Sequence, residues 1–273
     1  WKDVHMSGNV EARFLYATLP SGDLAPFGYT RLRLVVLPVG REGGRLVMVN
    51  RDLALEQGYL GLAEWLARAE SEWAAKASRN EVGHLRMPSV LDRLNYQRNL
   101  TRQKPTAMYK VLYNRSGTNL AAAVVQGAGY VSSPQDEGLK LTGGFVGDFD
   151  TYLFETDALE EANYLAAVLN SPILDALIKS SQTRGLFGAR DIASRPLRLP
   201  IPQFNGGNQA HRRLAEMGQE CHSVVAAALP EIAARYRSTG KIRGEVRRLL
   251  APQLAEIDGL VRGLLGISGR LDA

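Results

Sequence analysis

Cysteine is nearly absent: the 273 residues contain one, Cys221. One cysteine builds neither a disulfide framework nor a cysteine-based zinc site, and this usage fits a reducing, cytoplasmic setting. Histidine is scarce as well. His5, His84, His211 and His222 show no H-x-x-x-H or H-E-x-x-H spacing, and His211 and His222, eleven residues or three helical turns apart, are too distant to share a metal. No apolar run approaches the roughly 20 residues that span a bilayer. No membrane partner is therefore expected, and no signal-peptide pattern is seen.

Catalytic motifs are also missing. Methylation of an adenine amino group needs a glycine-rich cofactor loop and an Asn/Asp-Pro-Pro-Tyr/Phe motif, and the sequence has neither. Thr142-Gly143-Gly144-Phe145-Val146-Gly147 is glycine-rich, but no helical pattern opens behind it, so it makes a weak phosphate loop. A two-carboxylate nuclease needs acid-x-Lys after its first acid, and Asp136-Glu137-Gly138-Leu139-Lys140 has the wrong spacing. No serine sits in a G-x-S-x-G context. No catalysis is expected from this chain alone.

What is present is an ordinary globular composition, 45% hydrophobic and 22% charged, long enough for one large or two smaller domains. The formal net charge of +5 favours a polyanionic partner such as nucleic acid. The chain begins at Trp1 with no Met before it, and is expected to be part of something longer.

Short runs rich in Val, Leu and aromatics at 12–19, 31–37 and 45–49 predict strands, with Gly40-Arg41-Glu42-Gly43-Gly44 as a hairpin loop between the last two. Leu62, Trp65, Leu66, Ala69 and Trp73 share a helical face and place a helix near 60–78, with the tryptophans read as core. Strands are expected again at 108–113 and 120–125 around Asn114-Arg115-Ser116-Gly117, then at 128–132, 138–142 and 145–154. Asp148, Asp150, Glu155, Asp157, Glu160 and Glu161 form an acidic stretch. It reads as a helix start, with Asp157 as N-cap and Glu160 three residues on, rather than as a metal site. Helices follow at 158–169 and 172–181, the second opened by Ser171 and Pro172. Leu197, Leu199 and Ile201 alternate as a short strand. The last 65 or so residues carry helical apolar stripes interrupted at Pro230 and restarted at Pro252.

Two basic segments carry the binding chemistry. Residues 93–115 hold six cations and no acid, interleaved with Tyr96, Tyr109, Tyr113 and several amides. Between residues 179 and 198, Lys179, Arg184, Arg190, Arg195 and Arg198 face one acid, Asp191, with Gly185 and Gly188 allowing close backbone approach. Cations fix the phosphates, while Arg pairs with guanine edges and Gln or Asn with adenine edges. The candidate DNA contacts are Lys179, Gln182, Arg184, Arg190, Arg102, Gln103, Lys104, Arg115 and Asn119.

Tyr164-Leu165-Ala166-Ala167-Val168-Leu169-Asn170-Ser171, followed by a helix, a basic loop and Leu199-Pro200-Ile201-Pro202, resembles an element of DNA methyltransferase target-recognition regions. Ile257-Asp258-Gly259-Leu260-Val261-Arg262-Gly263-Leu264-Leu265-Gly266 is similar to the ending of fused restriction–modification methyltransferase–specificity proteins, with Leu265 where tyrosine is common. The resemblance covers residues 151–267 and implies the target-recognition region of an N6-adenine methyltransferase. Such a region reads double-stranded DNA beside a catalytic domain in the same parent chain or complex. It would clamp the duplex around a flipped adenine, and S-adenosylmethionine would bind in that catalytic domain, not here.

The expected fold is α+β: a β-rich target-recognition core with inserted helices over 1–204, and a C-terminal helical bundle over 205–273. The expected function is sequence-specific DNA recognition. The alternative is a protein-docking module of the same kind of system, without direct DNA contact.

Overall fold

The structure, a computed structural model, describes residues 3–79, 83–127, 143–180 and 192–267. Along it run β1 (Leu15–Thr18), β2 (Leu24–Ala25), β3 (Gly28–Tyr29), β4 (Arg33–Val36), β5 (Val39–Glu42), β6 (Arg45–Met48), α1 (Arg51–Glu56), α2 (Leu60–Lys76) and α3 (Val90–Leu94). They are followed by β7 (Tyr109–Asn114), β8 (Ala122–Gln126), β9 (Thr151–Thr156), α4 (Leu159–Asn170), α5 (Pro172–Ser180), α6 (Gln209–Arg235), α7 (Thr239–Leu249) and α8 (Ala251–Leu265). Small antiparallel sheets combined with segregated helices make an α+β fold, with helix outweighing strand.

The chain forms two compact units: Trp1–Thr18, Arg33–Thr106 and Ala128–Val146 in unit 1, and Leu19–Leu32, Ala107–Gly127 and Gly147–Ala273 in unit 2. The C-terminal helices thus share a unit with β7, β8 and β9, and the boundary expected at residue 204 falls inside it.

In unit 1, β1 pairs with β4 and β5 with β6, all antiparallel. Gly43 and Gly44, at φ 53° and 76°, make the tight β5–β6 turn that residues with a Cβ resist. Asn50 caps α1 by accepting from the Leu53 amide at 2.8 Å. The N-terminus of α2 is capped from a distance: the Glu11 carboxylate accepts from the Gly61 and Leu62 amides at 3.0 and 2.9 Å, placing negative charge at the positive end of the helix dipole. Phe14, Leu62 and Leu66 fill one core beneath it, and Tyr16, Leu37, Leu46 and Leu100 another. The glycine-rich stretch is accounted for by packing. A Cβ on Gly143 would sit 2.4 Å from the Leu15 carbonyl oxygen, and Phe145 bridges Ala17 in parallel.

Unit 2 is built on β7, flanked by β8 and β9 in an antiparallel sheet. β2 and β3 form a two-residue-strand hairpin whose Phe27, at φ 58°, is buried in the core and donates its amide to the Ala122 carbonyl at 2.7 Å. Helix α4 packs on α6 closely enough that a Cβ on Gly218 would lie 2.3 Å from the Asn163 carbonyl oxygen. Leu214, Met217, Cys221, Val225, Val246 and Ile257 join α4 and α5 in one core. Each fully buried side chain of this kind contributes roughly 1.5–3 kcal/mol. Gly266, in the left-handed conformation at φ 64°, terminates α8, and the Ile267 amide returns to the Arg262 carbonyl.

Several local expectations are corrected. Asp157 does not cap α4; its Oδ1 accepts from the Met108 amide at 3.0 Å, and Ala158 occupies the cap position. The Thr156 hydroxyl accepts from the Ala158 amide at 3.1 Å, a turn that leads into α4 without capping it. Residues Pro196–Arg198 form a 3-10 turn rather than a strand. Pro230 does not end its helix: α6 continues to Arg235, because Pro230 and Ala226 lie on the exposed side, where water can satisfy the Ala226 carbonyl that lost its donor. The strands expected at 128–132 and 138–142 lie outside the described residues, and the one expected at 145–154 is realised only from residue 151, as β9.

Candidate nucleic-acid interface

The β7–β8 connection is longer than the four-residue turn expected, because β7 ends at Asn114 and β8 begins only at Ala122. Its shape is set by Asn114, which is fully buried. The Asn114 amide nitrogen donates to the carbonyls of Ser116 and Asn119 at 2.9 and 3.0 Å, and its oxygen accepts from the Ala121 amide at 2.8 Å. Gly117, at φ 144°, sits against this amide, where a Cβ would come within 2.9 Å of it.

Helix α5 is bound to the far end of this loop. Asp175 Oδ1 accepts from the buried Leu120 amide at 2.7 Å, and its Oδ2 pairs with Lys179 one turn later at 2.8 Å. The Lys179 ammonium also donates to Asn119 Oδ1 at 2.6 Å. Beneath the loop lie two arginines of α7. Arg247 donates to the Leu120 carbonyl, and Arg243 donates to the carbonyls of Leu24 and Ser21 at 2.8 and 2.6 Å. Burial pushes the Arg243 guanidinium down to about 10, and the neighbouring Arg247 adds to the effect. Burial lowers Arg247 too, with Asp175 opposing. The loop therefore rests on a cationic floor that holds one carboxylate, Asp175.

Arg115 stands exposed at the other end. Its guanidinium lies 6.0 Å from the centre of the Tyr152 ring, which stacks on Tyr113 at 5.2 Å. Its carbonyl accepts from the amides of Ile192 and Ala193 at 3.2 and 2.7 Å.

These contacts tie the second basic segment to one loop at two points. Lys179, which opens the segment, holds Asn119, and the Ile192 and Ala193 amides within it hold the Arg115 carbonyl. Gln182, Arg184 and Arg190 lie outside the described residues. Of the candidate contacts in unit 2, Lys179, Arg115 and Asn119 are thus brought together. Lys179 is 41% exposed at its side chain, so its ion pair remains open to solvent and to exchange.

Unit 1 holds the remaining three. Arg102 and Lys104 are exposed. Gln103 is a correction: it is 4% exposed, and its amide donates to the Asn99 carbonyl at 3.0 Å. An amide so buried cannot present itself to a base edge. Asp175 was not singled out from the sequence, although its four-residue spacing to Lys179 is the usual mark of a helical ion pair.

Below the sheet, a cavity of about 390 Å³ lies among Val111, Tyr113, Phe154, Tyr164, Leu197 and Phe204. Tyr164 donates to the Pro202 carbonyl at 2.9 Å, and burial pushes its hydroxyl up to about 12.

No family model matches the sequence, and no curated protein matches it. Among solved structures, the chain is similar to the Type IIL restriction-modification enzyme MmeI in complex with DNA, at a TM-score of 0.50 and 10% identity. The chain shares its fold with a segment of a restriction-modification enzyme. The match covers 95% of this chain and 29% of that one, so the chain spans under a third of the length of MmeI. At this identity the likeness is one of fold. Among the described residues, no helix is long and apolar enough to cross a membrane.

Proposed function

We propose that this chain is the double-stranded DNA target-recognition part of a larger restriction–modification protein of the adenine-methyltransferase kind. The observation that carries the reading is that Lys179 and the Ile192 and Ala193 amides, from one cation-rich segment, hold a loop bearing Arg115 and Asn119. The fold shared with a segment of an enzyme solved on DNA supports it. Lys179, Arg115, Arg102 and Lys104, with Arg184 and Arg190, would meet phosphates; Asn119 and Gln182 would meet base edges. Catalysis and S-adenosylmethionine would belong to a catalytic domain outside this chain. The docking-module alternative draws little support: α6, α7 and α8 turn their apolar stripes into the unit 2 core, and of their large apolar residues Leu249 is exposed.

The test is titration of the chain into labelled duplex DNA at low salt. Binding should weaken steeply with salt, and Lys179→Ala and Arg184→Ala should each weaken it further. A folded chain with no detectable binding at low salt refutes the reading.

A further inference from the structure

Unit 1 carries a strained turn in the open. Two residues past Asn95, which ends α3, Gln97 has φ 55° and ψ 27°, and Arg98 has φ 60°. Left-handed conformations on consecutive residues with a Cβ are unfavourable, and neither Gln nor Arg is among the residue types that tolerate them best. Packing gives no compensation, because both side chains are exposed and Tyr96 beside them is 50% exposed.

The turn is nonetheless fixed from within. Asn95 Oδ1 accepts from the amides of Leu100 and Thr101 at 3.2 and 3.1 Å and from the Thr101 hydroxyl at 3.2 Å. The Arg98 amide donates back to the Asn95 carbonyl at 2.8 Å, and the Arg98 carbonyl accepts from Arg102 at 2.9 Å. Gln103 holds the Asn99 carbonyl, and Leu100 is buried in a core cluster with Leu37 and Leu46. Strain that persists because its surroundings over-determine it marks functional positions. Asn95 and Gln103, the latter expected to read bases, form the brace, and what the brace presents is Gln97 and Arg98.

We propose that the Gln97–Arg98 turn is a base-reading, specificity-determining element of unit 1. In it, the Gln97 amide and the Arg98 guanidinium address adjacent base edges in the major groove, while Arg102 and Lys104 meet the flanking phosphates. The chemistry fits: a carboxamide pairs in bidentate fashion with adenine, and a guanidinium with guanine. A rigid turn holds both heads in register at little entropic cost on binding. The inference rests on the DNA-recognition reading.

The test uses the 273-residue chain and duplexes with a randomised centre between constant arms, enriched by binding and sequenced. Gln97→Gly and Arg98→Gly suit it, because glycine accepts these φ values without strain. Each should keep or raise the melting temperature. Arg98→Lys retains the charge without the bidentate fork. The chain should enrich a defined site. Each glycine variant, and Arg98→Lys, should lose about 5- to 150-fold discrimination at one base pair, and Arg98→Lys should keep its salt-dependent affinity for unrelated duplex. Variants that enrich the same site with unchanged discrimination overturn the inference and leave the DNA-recognition reading standing. A chain that binds duplex but enriches no sequence overturns the inference and the target-recognition reading with it, leaving only charge-driven duplex binding. A chain that binds no duplex at low salt overturns both.

Discussion

Replacing Asp175 should move fold stability and DNA affinity in opposite directions. The carboxylate does three things: it accepts from the buried Leu120 amide at 2.7 Å, pairs with Lys179 at 2.8 Å, and offsets the positive charge of Arg247. Asp175→Ala leaves a buried backbone donor without its acceptor, a loss of about 1–3 kcal/mol. The Lys179 pair adds at most about 1 kcal/mol, since that side chain is 41% exposed and water screens it. A total near 2–4 kcal/mol is expected. Asp175→Asn keeps an acceptor for Leu120 and should cost about half as much. On DNA the sign reverses: without its carboxylate, the Lys179 ammonium is released to a phosphate, so Asp175→Asn should bind duplex more tightly than the parent chain. Lys179→Ala should leave stability nearly unchanged and lower the salt slope by about one. Urea unfolding gives the first quantity, and fluorescence anisotropy across a salt series gives the second. If Asp175→Asn weakens DNA binding while remaining folded, the Lys179 assignment is wrong.

Asn170, fully buried at the end of α4, exchanges hydrogen bonds with both backbone groups of Ala122 on β8, at 3.0 and 2.8 Å, so Asn170→Ala should cost about 2–4 kcal/mol by urea unfolding. Gly218→Ala should destabilise by about 1–3 kcal/mol in the same assay despite the better helix propensity of alanine, because α4 and α6 must separate to admit the methyl group. Cys221 is buried and its thiol is pushed up to about 12, so Ellman's reagent should fail to label it at neutral pH until denaturant opens the fold. The same shift gives an alkaline signature. The folded thiol holds its proton above the ordinary value of 9.0, so its stability contribution is full below pH 9 and erodes as pH rises. Melting temperatures should therefore fall as pH rises above 9, and above pH 10 the buried Tyr164 hydroxyl, pushed up to about 12, adds to the fall.

Elements with a strong local period were legible in the sequence. The helices expected at 60–78, 158–169 and 172–181 are Leu60–Lys76, Leu159–Asn170 and Pro172–Ser180. Elements created by distant contacts were not. β2 and β3 are two residues each, too short to show alternation, and they exist because the buried Phe27 bonds to Ala122. The division into units was hidden for the same reason: residues 19–32 and 107–127 join the C-terminal helices through the core, not through sequence proximity. The motifs behind the family resemblance have structural work. Asn170 closes the edge of β8, and Asp258 accepts from the Ile173 amide at 2.6 Å, capping α5 from α8. At the candidate interface, charge was readable and burial was not. Arg102 and Gln103 are neighbours, yet one is exposed and the other is spent on bracing a turn.

The central claim is that this chain reads duplex DNA through cations that include Arg115 on its β7–β8 loop and Lys179 on α5. The most direct measurement is the affinity of the intact chain for duplex DNA as a function of salt. With four to six cations engaged, log K should fall linearly with log salt at a slope of about −4 to −5. Both Arg115→Ala and Lys179→Ala should reduce that slope by about one each. A folded chain that binds no duplex at low salt, or whose binding ignores salt and both substitutions, would contradict the account.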